Sequence, residues 1–232
     1  MGDEQSSPAE SIADYFGLSN MPADGADLSK VEKFAAAIDS ANYLNNEMAG
    51  CARYASGREL LAAGLAASGA VPGGLVLEFG VARAVTINFI ANRTQATVYG
   101  FDSFKGLPED WRVDFKKGAF RRSDLPDVNP NVELVVGWFD ETLPEFVLSH
   151  PGPVSFLHVD CDLYSSTKTV LDHLEPRILP GAVIVFDEYF NYVGWRAHEW
   201  KAFREFIARS GRTYRYFGAA PTHQQVGVVI TG

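Results

Sequence analysis

Cysteine is nearly absent from this chain: Cys51 and Cys161 are the only two. They form no disulfide framework and no zinc-binding spacing, and they suit a reducing compartment. Also missing is any apolar run near the ~20 residues that a membrane-spanning helix needs. The opening MGDEQSSPAES has no positive start and no apolar centre. Neither a secretory leader nor a membrane partner is therefore expected, and a cytoplasmic location is. Basic residues are scarce as well, with 20 Lys and Arg against 29 Asp and Glu, a formal net charge of −9. A surface of that sign repels phosphate backbones, so nucleic acid is not an expected partner.

What is present is ordinary for a globular chain. Over 232 residues, 47% are hydrophobic and 21% charged, enough for a sizeable core in one large domain with or without an appendage. Residues 1–10 are polar and are expected to fray. Ser29 to Glu32 has capping-box spacing ahead of a helix over Lys33–Asp39, and Ser56 to Glu59 repeats it ahead of Leu60–Ala67. The first 70 or so residues read as helical. The breaker Ser68–Gly74 then sets off residues 71–232, where short apolar runs alternate with helical ones.

Five of those runs read as strands: Leu75–Phe79, Thr97–Asp102, Val132–Val136, Val154–Asp160 and Ala182–Asp187. Helices are expected over Val85–Asn92, Leu143–Ser149, Ser166–Leu174 and Trp195–Arg209, and two closing strands over Thr213–Phe217 and Val226–Thr231. Such alternation implies right-handed crossovers and a doubly wound, mostly parallel, Rossmann-like α/β sheet. Four of the strands end on acids or glycine, at Glu78–Gly80, Asp102, Asp160 and Asp187. Ligands of open parallel sheets bind at these carboxyl ends, so the acids point to one crevice.

Each motif suggests a task. Gly80, in Glu78-Phe79-Gly80-Val81, would let the backbone approach a ligand closely. Ala82 and Ala84 stand where a pyrophosphate cradle would need glycine, which argues against a dinucleotide. S-adenosylmethionine carries no phosphate and tolerates such a loop. Asp102 lies 24 residues after Glu78, where an acid accepts from ribose hydroxyls or caps the next segment. Trp138, Phe139 and Asp140 suit an adenine, while Asp140 could equally cap a helix beginning near Thr142. Asp160, Asp162, Asp187 and Glu188 would crowd adjacent strand ends and repel one another unless a hard cation such as Mg²⁺ joins them. Otherwise Asp162 caps the next helix and Glu188 pairs with Arg196. His158 lies inside a strand and favours a structural role. His198, after the fifth strand, is a candidate acid-base group. Cys161, between two carboxylates, is a poor nucleophile.

The ordered motifs LEFGV (77–81), GFDSFKGLPED (100–110), GWFDETLP (137–144), HVDCDLYSST (158–167) and IVFDEYF (184–190) resemble the macrocin O-methyltransferase family. That likeness runs from about Leu75 to Tyr192. It implies an S-adenosylmethionine-dependent class I methyltransferase of natural-product biosynthesis, with a seven-stranded sheet, an antiparallel last strand and a mobile helical lid over residues 1–70. It assigns cofactor binding to Glu78, Gly80, Asp102, Ser103, Phe139 and Asp140, and a divalent metal, usually Mg²⁺, to Asp160, Asp187 and Glu188. Asp160, with Asp162 and His198 behind it, would serve the proton transfer. The Asp-Glu pair after the fifth strand departs from the Asp-Asp or Asp-Asn of metal-binding members. The expected partner is a small-molecule acceptor; a homo-oligomer is left open. A nicotinamide-dependent oxidoreductase would need a phosphate cradle and a Tyr-Lys or His set that the chain does not present. A non-catalytic nucleoside-binding protein would not need the acids of strands four and five.

Overall fold

The computed structural model describes residues 27–232. The expected fraying of residues 1–10 and the first part of the expected lid lie outside them. The described residues fall into two compact units, 27–49 with Asn191–Gly194, and Gly50–Phe190 with Trp195–Gly232. The smaller unit is built on helix α1 (Leu28–Asn46). Its cap is Asp27, whose carboxylate accepts from the Ser29 N–H at 3.1 Å and the Ser29 hydroxyl at 2.7 Å. The cap thus lies two residues before the expected Ser29, and no capping box forms, since Lys30 stands three residues after Asp27. Within this unit the Ser40 hydroxyl donates to the Ala36 carbonyl at 2.7 Å and accepts from the Asn191 N–H at 2.9 Å.

The larger unit carries one eight-stranded sheet. In chain order it comprises β1 (Ala52–Arg53), α2 (Gly57–Ala67), β2 (Leu75–Phe79), α3 (Val85–Ala91), β3 (Val98–Asp102) and β4 (Val132–Val136). Then follow α4 (Phe139–Ser149), β5 (Val154–Val159), α5 (Tyr164–Leu174), β6 (Val183–Phe186), α6 (Glu199–Ser210), β7 (Tyr214–Ala219) and β8 (Val226–Ile230). The order across the sheet is β1-β7-β8-β6-β5-β2-β3-β4, and only β8 runs antiparallel to its neighbours. The seven expected strands are all there. The eighth, β1, is two residues long and pairs with Gly218 and Ala219 inside the segment expected to be helical. Helix α2 packs against β6 and lies in the larger unit, so the unit boundary falls at Ala49 rather than near residue 70. Ser56 caps α2 as expected, accepting from Glu59 N–H at 3.3 Å, while the Glu59 carboxylate returns to Ala55 N–H rather than to Ser56.

The central strands are apolar because both their faces are covered. Every residue of β5 and β6 is buried. One face packs Val76, Phe156, Val183 and Val185 against Leu60 and Leu61 of α2 and Ile87 and Ile90 of α3. On the other, Phe79 stacks on Phe101 at 4.4 Å between ring centres, Phe146 of α4 meets Phe101 at 4.9 Å, and Phe203 of α6 meets Phe186 at 5.2 Å. Burial of this kind contributes about 25 cal/mol per Å² of apolar surface. Among the described residues no helix is long and apolar enough to cross a membrane.

The ladder continues one residue past several strands. Gly80 N–H donates to Phe101, Asp160 N–H to Phe79, and Asp187 N–H to Val159, each at 2.9 Å, and Gly137 N–H donates to Asp102 at 3.1 Å. Four turns are thereby locked side by side along the carboxyl edge.

Candidate active site

That edge opens into a cavity of about 640 Å³, a volume typical of small-molecule sites. Gly80, Ala82, Asp102, Ser103, Trp138, Phe139 and Asp140 line one part of it, and Asp160, Asp162 and Glu188 another.

In the first part Asp102 organises the turns. One of its oxygens accepts from Val81 N–H at 3.0 Å and Ala82 N–H at 2.8 Å, and the other from Phe104 N–H at 2.7 Å. Gly80 has φ +96°, and a Cβ there would run into the Asp160 carbonyl. The glycine is therefore demanded by the close passage of β2 and β5 as well as by any ligand. Ala82 and Ala84 hold φ +44° and +58°. These are the positions where glycines were missed, and the loop adopts the left-handed backbone without them, at about 1–2 kcal/mol each. Ser103 is buried and accepts from Lys105 N–H at 3.1 Å. Phe139 meets the edge of Phe79 at 5.2 Å. Asp140 is exposed and sits inside the first turn of α4, which starts at Phe139, so it is not the cap expected for a helix beginning near Thr142.

Glu78 is not in this lining. It is fully buried under the sheet, with one oxygen 2.8 Å from His158 Nδ1 and the other accepting from the Thr86 hydroxyl at 3.1 Å. The reason is strand alternation: Glu78 shares a face with Val76, two residues earlier. Burial raises the Glu78 carboxyl, and the His158 hydrogen bond partly offsets it. Burial would depress His158, but the carboxylate of Asp187 nearby, the Glu78 hydrogen bond and the charges of Glu78 and Asp160 outweigh that and hold it well above the usual range.

The carboxylates of the second part form two groups that share Asp160, His158–Asp160–Asp187 and Asp160–Asp162–Glu188, each with ligand atoms within 4.8 Å of one another. The expected triad of Asp160, Asp187 and Glu188 is thus divided between them. Asp187 turns to His158 Nε2, at 3.7 Å, and accepts from Gln225 Nε2 at 3.1 Å, while Glu188 lines the cavity. Burial and the charge of Asp187 push Asp160 and Glu188 well above the ordinary carboxylate range. Burial raises Asp162 too, Arg112 pulls it down, Asp187 and Asp102 push it up, and it is left at about 7. Burial would raise Asp187, but the nearby His158 ring and the Gln225 hydrogen bond overcome it and lower the carboxyl. Asp162 has φ +63°, and α5 is capped at Leu163 without a side-chain bond, so Asp162 does not cap it. Cys161 is buried, and burial with the Glu199 charge pushes its thiol well above its usual range, which leaves it unreactive.

Two features escaped the sequence reading. The loop from Ser103 to Asn131 closes on itself through Leu107 N–H to Ala119, Gly118 N–H to Leu107 and Trp111 N–H to Phe115, each at 2.9 Å. It is tied to α5 by the Ser165 hydroxyl donating to Glu109 at 2.6 Å. It presents Trp111, Arg112, Phe115 and Phe120 to the cavity, with the Arg112 guanidinium 3.6 Å from the Trp111 ring centre. Its density of aromatic residues around an arginine was the available signal. The second is Glu199 on α6, fully buried, whose carboxylate accepts from Glu188 N–H at 3.0 Å. His198 stands outside the lining, half-buried, its ring perpendicular to Trp111 at 6.3 Å between centres. Burial and the Arg112 charge lower it.

A parallel sheet with one antiparallel last strand, a glycine turn and acids at successive carboxyl ends is the layout of class I methyltransferases, and solved structures share this fold. The crystal structure of CalS11, a calicheamicin methyltransferase, aligns over 99% of this chain and 98% of its own, with a TM-score of 0.61 and 22% identity. The chain belongs to the macrocin-O-methyltransferase (TylF) family, whose profile matches residues 25–208. It is 32% identical over 146 residues to 8-demethyl-8-(2,3-dimethoxy-alpha-L-rhamnosyl)-tetracenomycin-C 4'-O-methyltransferase of Streptomyces olivaceus, covering 51% of this chain and 54% of that one. It is 32% identical over 114 residues to demethyldecarbamoylnovobiocin O-methyltransferase of Streptomyces niveus, covering 40% and 42%. The chain thus spans about half the length of the curated relatives it matches.

Proposed function

We propose that this protein is an S-adenosylmethionine-dependent O-methyltransferase, assisted by a divalent cation, usually Mg²⁺, acting on a hydroxyl of a small natural product or its sugar. The observation that carries the reading is one cavity lined both by Gly80, Asp102 and Phe139 and by an oxygen-donor cluster at Asp160, Asp162 and Glu188. The donor set is all carboxylate on the cavity side, which fits a hard cation. Asp160, common to both groups, with Asp187 and Glu188 on either side, would hold it.

When bound, the cofactor supplies an electrophilic methyl group and the cation charge that eases loss of the hydroxyl proton. The residues do the rest. Asp102 and Phe139 would seat the nucleoside, and the loop of Trp111, Phe115 and Phe120 would pack against the acceptor ring and exclude water. Alignment of this kind can lower a barrier by roughly 7–11 kcal/mol. Asp162 joins Asp160 as a candidate proton acceptor, because both line the cavity. His198, outside the lining, becomes the weakest candidate. Helix α1 would belong to a lid, and slower amide exchange in α1 on binding cofactor and acceptor would support that role.

The test is methyl transfer from labelled cofactor to a panel of phenols, free sugars and deoxysugar glycosides, with and without chelator. Transfer that a chelator stops and Mg²⁺ restores is expected. Full turnover in excess chelator would remove the cation from the reading, and failure to bind S-adenosylhomocysteine would remove the whole of it.

A further inference from the structure

We propose that His158 is a positioning residue: anchored by Glu78, its ring sets the placement of Asp187 and, through Asp187, the geometry with which the acidic cluster takes up a divalent cation. The inference rests on the cation reading above and adds to it a buried residue that touches neither substrate nor cavity.

His158 is the central link of a polar chain that crosses the middle of the sheet from Thr86 to Gln225. It lies opposite Glu78 of β2 on one side and Val185 of β6 on the other. Its Nδ1 is 2.8 Å from Glu78, and Glu78 is itself held by the Thr86 hydroxyl of α3. With that end of the ring fixed, Nε2 faces Asp187 at 3.7 Å. Gln225, just before β8, donates to the same Asp187 oxygen at 3.1 Å. Asp187 thus has the His158 ring of β5 on one side and the Gln225 amide on the other, and both side chains of the Glu78–His158 pair are wholly unexposed.

Stability alone does not account for this pair. Apolar side chains of similar volume often hold a sheet as well as or better than a buried ion pair, and Val76 and Phe156 occupy the same face nearby. A buried partner that orients a ligating carboxylate does account for it. Loss of such partners typically weakens metal affinity 10–100-fold.

Mn²⁺ is the probe, titrated by calorimetry into the cofactor-free full chain and into His158→Gln and His158→Asn, with S-adenosylhomocysteine binding measured in parallel. The expected result is a Kd for Mn²⁺ raised about ten- to a hundredfold, with S-adenosylhomocysteine affinity unchanged. Variants that melt earlier yet bind Mn²⁺ as the parent does would overturn the proposal in favour of a plain structural role. A parent that binds S-adenosylhomocysteine but no Mn²⁺ would overturn the cation reading and this inference with it. A second measurement needs no variant: with ¹⁵N-labelled histidine, Mg²⁺ should shift the ring nitrogens of His158 and leave those of His150 and His173 in place. An unmoved His158 signal would overturn the proposal, as would direct Mn²⁺–nitrogen hyperfine coupling, which would make His158 a ligand.

Discussion

Glu78 and His158 face each other at matched positions of β2 and β5, 2.8 Å apart, with neither side chain exposed. Removing one member leaves the other buried without its partner, which typically costs 3–5 kcal/mol. Glu78→Ala should therefore destabilise the protein by about 3–5 kcal/mol in urea unfolding, and Glu78→Leu combined with His158→Phe by clearly less than the two single changes added together. A single-variant loss below about 1 kcal/mol would mean the pair is not coupled.

Asp102 holds three backbone amides, those of Val81, Ala82 and Phe104. Asp102→Ala should loosen both turns and remove the acceptor offered to a ribose. Calorimetry should show S-adenosylhomocysteine affinity lower by about 1.5–3 kcal/mol, the worth of one charge-assisted hydrogen bond. NAD should bind neither form. Unchanged affinity would mean the ribose lies elsewhere.

Gly80 separates two costs that glycine can carry. Its φ of +96° penalises any side chain, and a Cβ would also meet the Asp160 carbonyl. Gly211, after α6, has φ +69° and open space around it. Gly211→Ala should thus cost about 1–2 kcal/mol from backbone alone, whereas Gly80→Ala should cost more and also displace Asp160. Equal melting points for the two variants would show that the collision is relieved without strain.

Much of this was legible beforehand, for a physical reason. Central parallel strands are covered on both faces, so LVLEF, VSFLHV and VIVF stand out as apolar runs, and the acids appear where the ladder stops. The strand β1 was not legible, because two residues have no periodicity and are held only by Gly218 and Ala219 far along the chain. The division of the acidic pair could have been foreseen: neighbouring side chains at a strand end diverge, so Asp187 turns to His158 while Glu188 enters the cavity. Glu199 left a signal too. It stands four residues before Phe203 and seven before Phe206, on the stripe that α6 buries, where a carboxylate calls for a partner. The loop wall of Trp111, Phe115 and Phe120 showed in the sequence only as aromatic residues gathered around Arg112; the backbone bonds that close the loop leave no side-chain pattern.

The acidic cluster makes stability depend on pH with a definite sign. Burial and neighbouring charge raise Asp162 from 3.8 to about 7, and raise Asp160, Glu188 and Glu199 as well. A carboxyl raised on folding binds more protons in the folded state than in the unfolded one. Its stabilising contribution is whole below the unfolded value and is lost as pH climbs through the folded value. For Asp162 that window runs from 3.8 to about 7. Asp187, which is lowered, acts with the opposite sign, but its window lies below 3.8. Without a cation the melting temperature should therefore fall between about pH 5 and pH 8. A divalent cation binds the deprotonated acids and favours the folded state by mass action. Added Mg²⁺ should raise the melting temperature markedly near pH 8 and little near pH 5, and Mg²⁺ affinity should strengthen as pH passes about 7. Asp160→Asn should reduce the Mg²⁺ effect more than Glu188→Gln, because Asp160 belongs to both groups. Differential scanning fluorimetry over a pH and Mg²⁺ grid decides the matter. A melting temperature that stays level or rises across the window in chelator would show that the carboxyls do not hold their protons. A protein indifferent to Mg²⁺ near pH 8 would leave the cluster as a metal-free acid pocket.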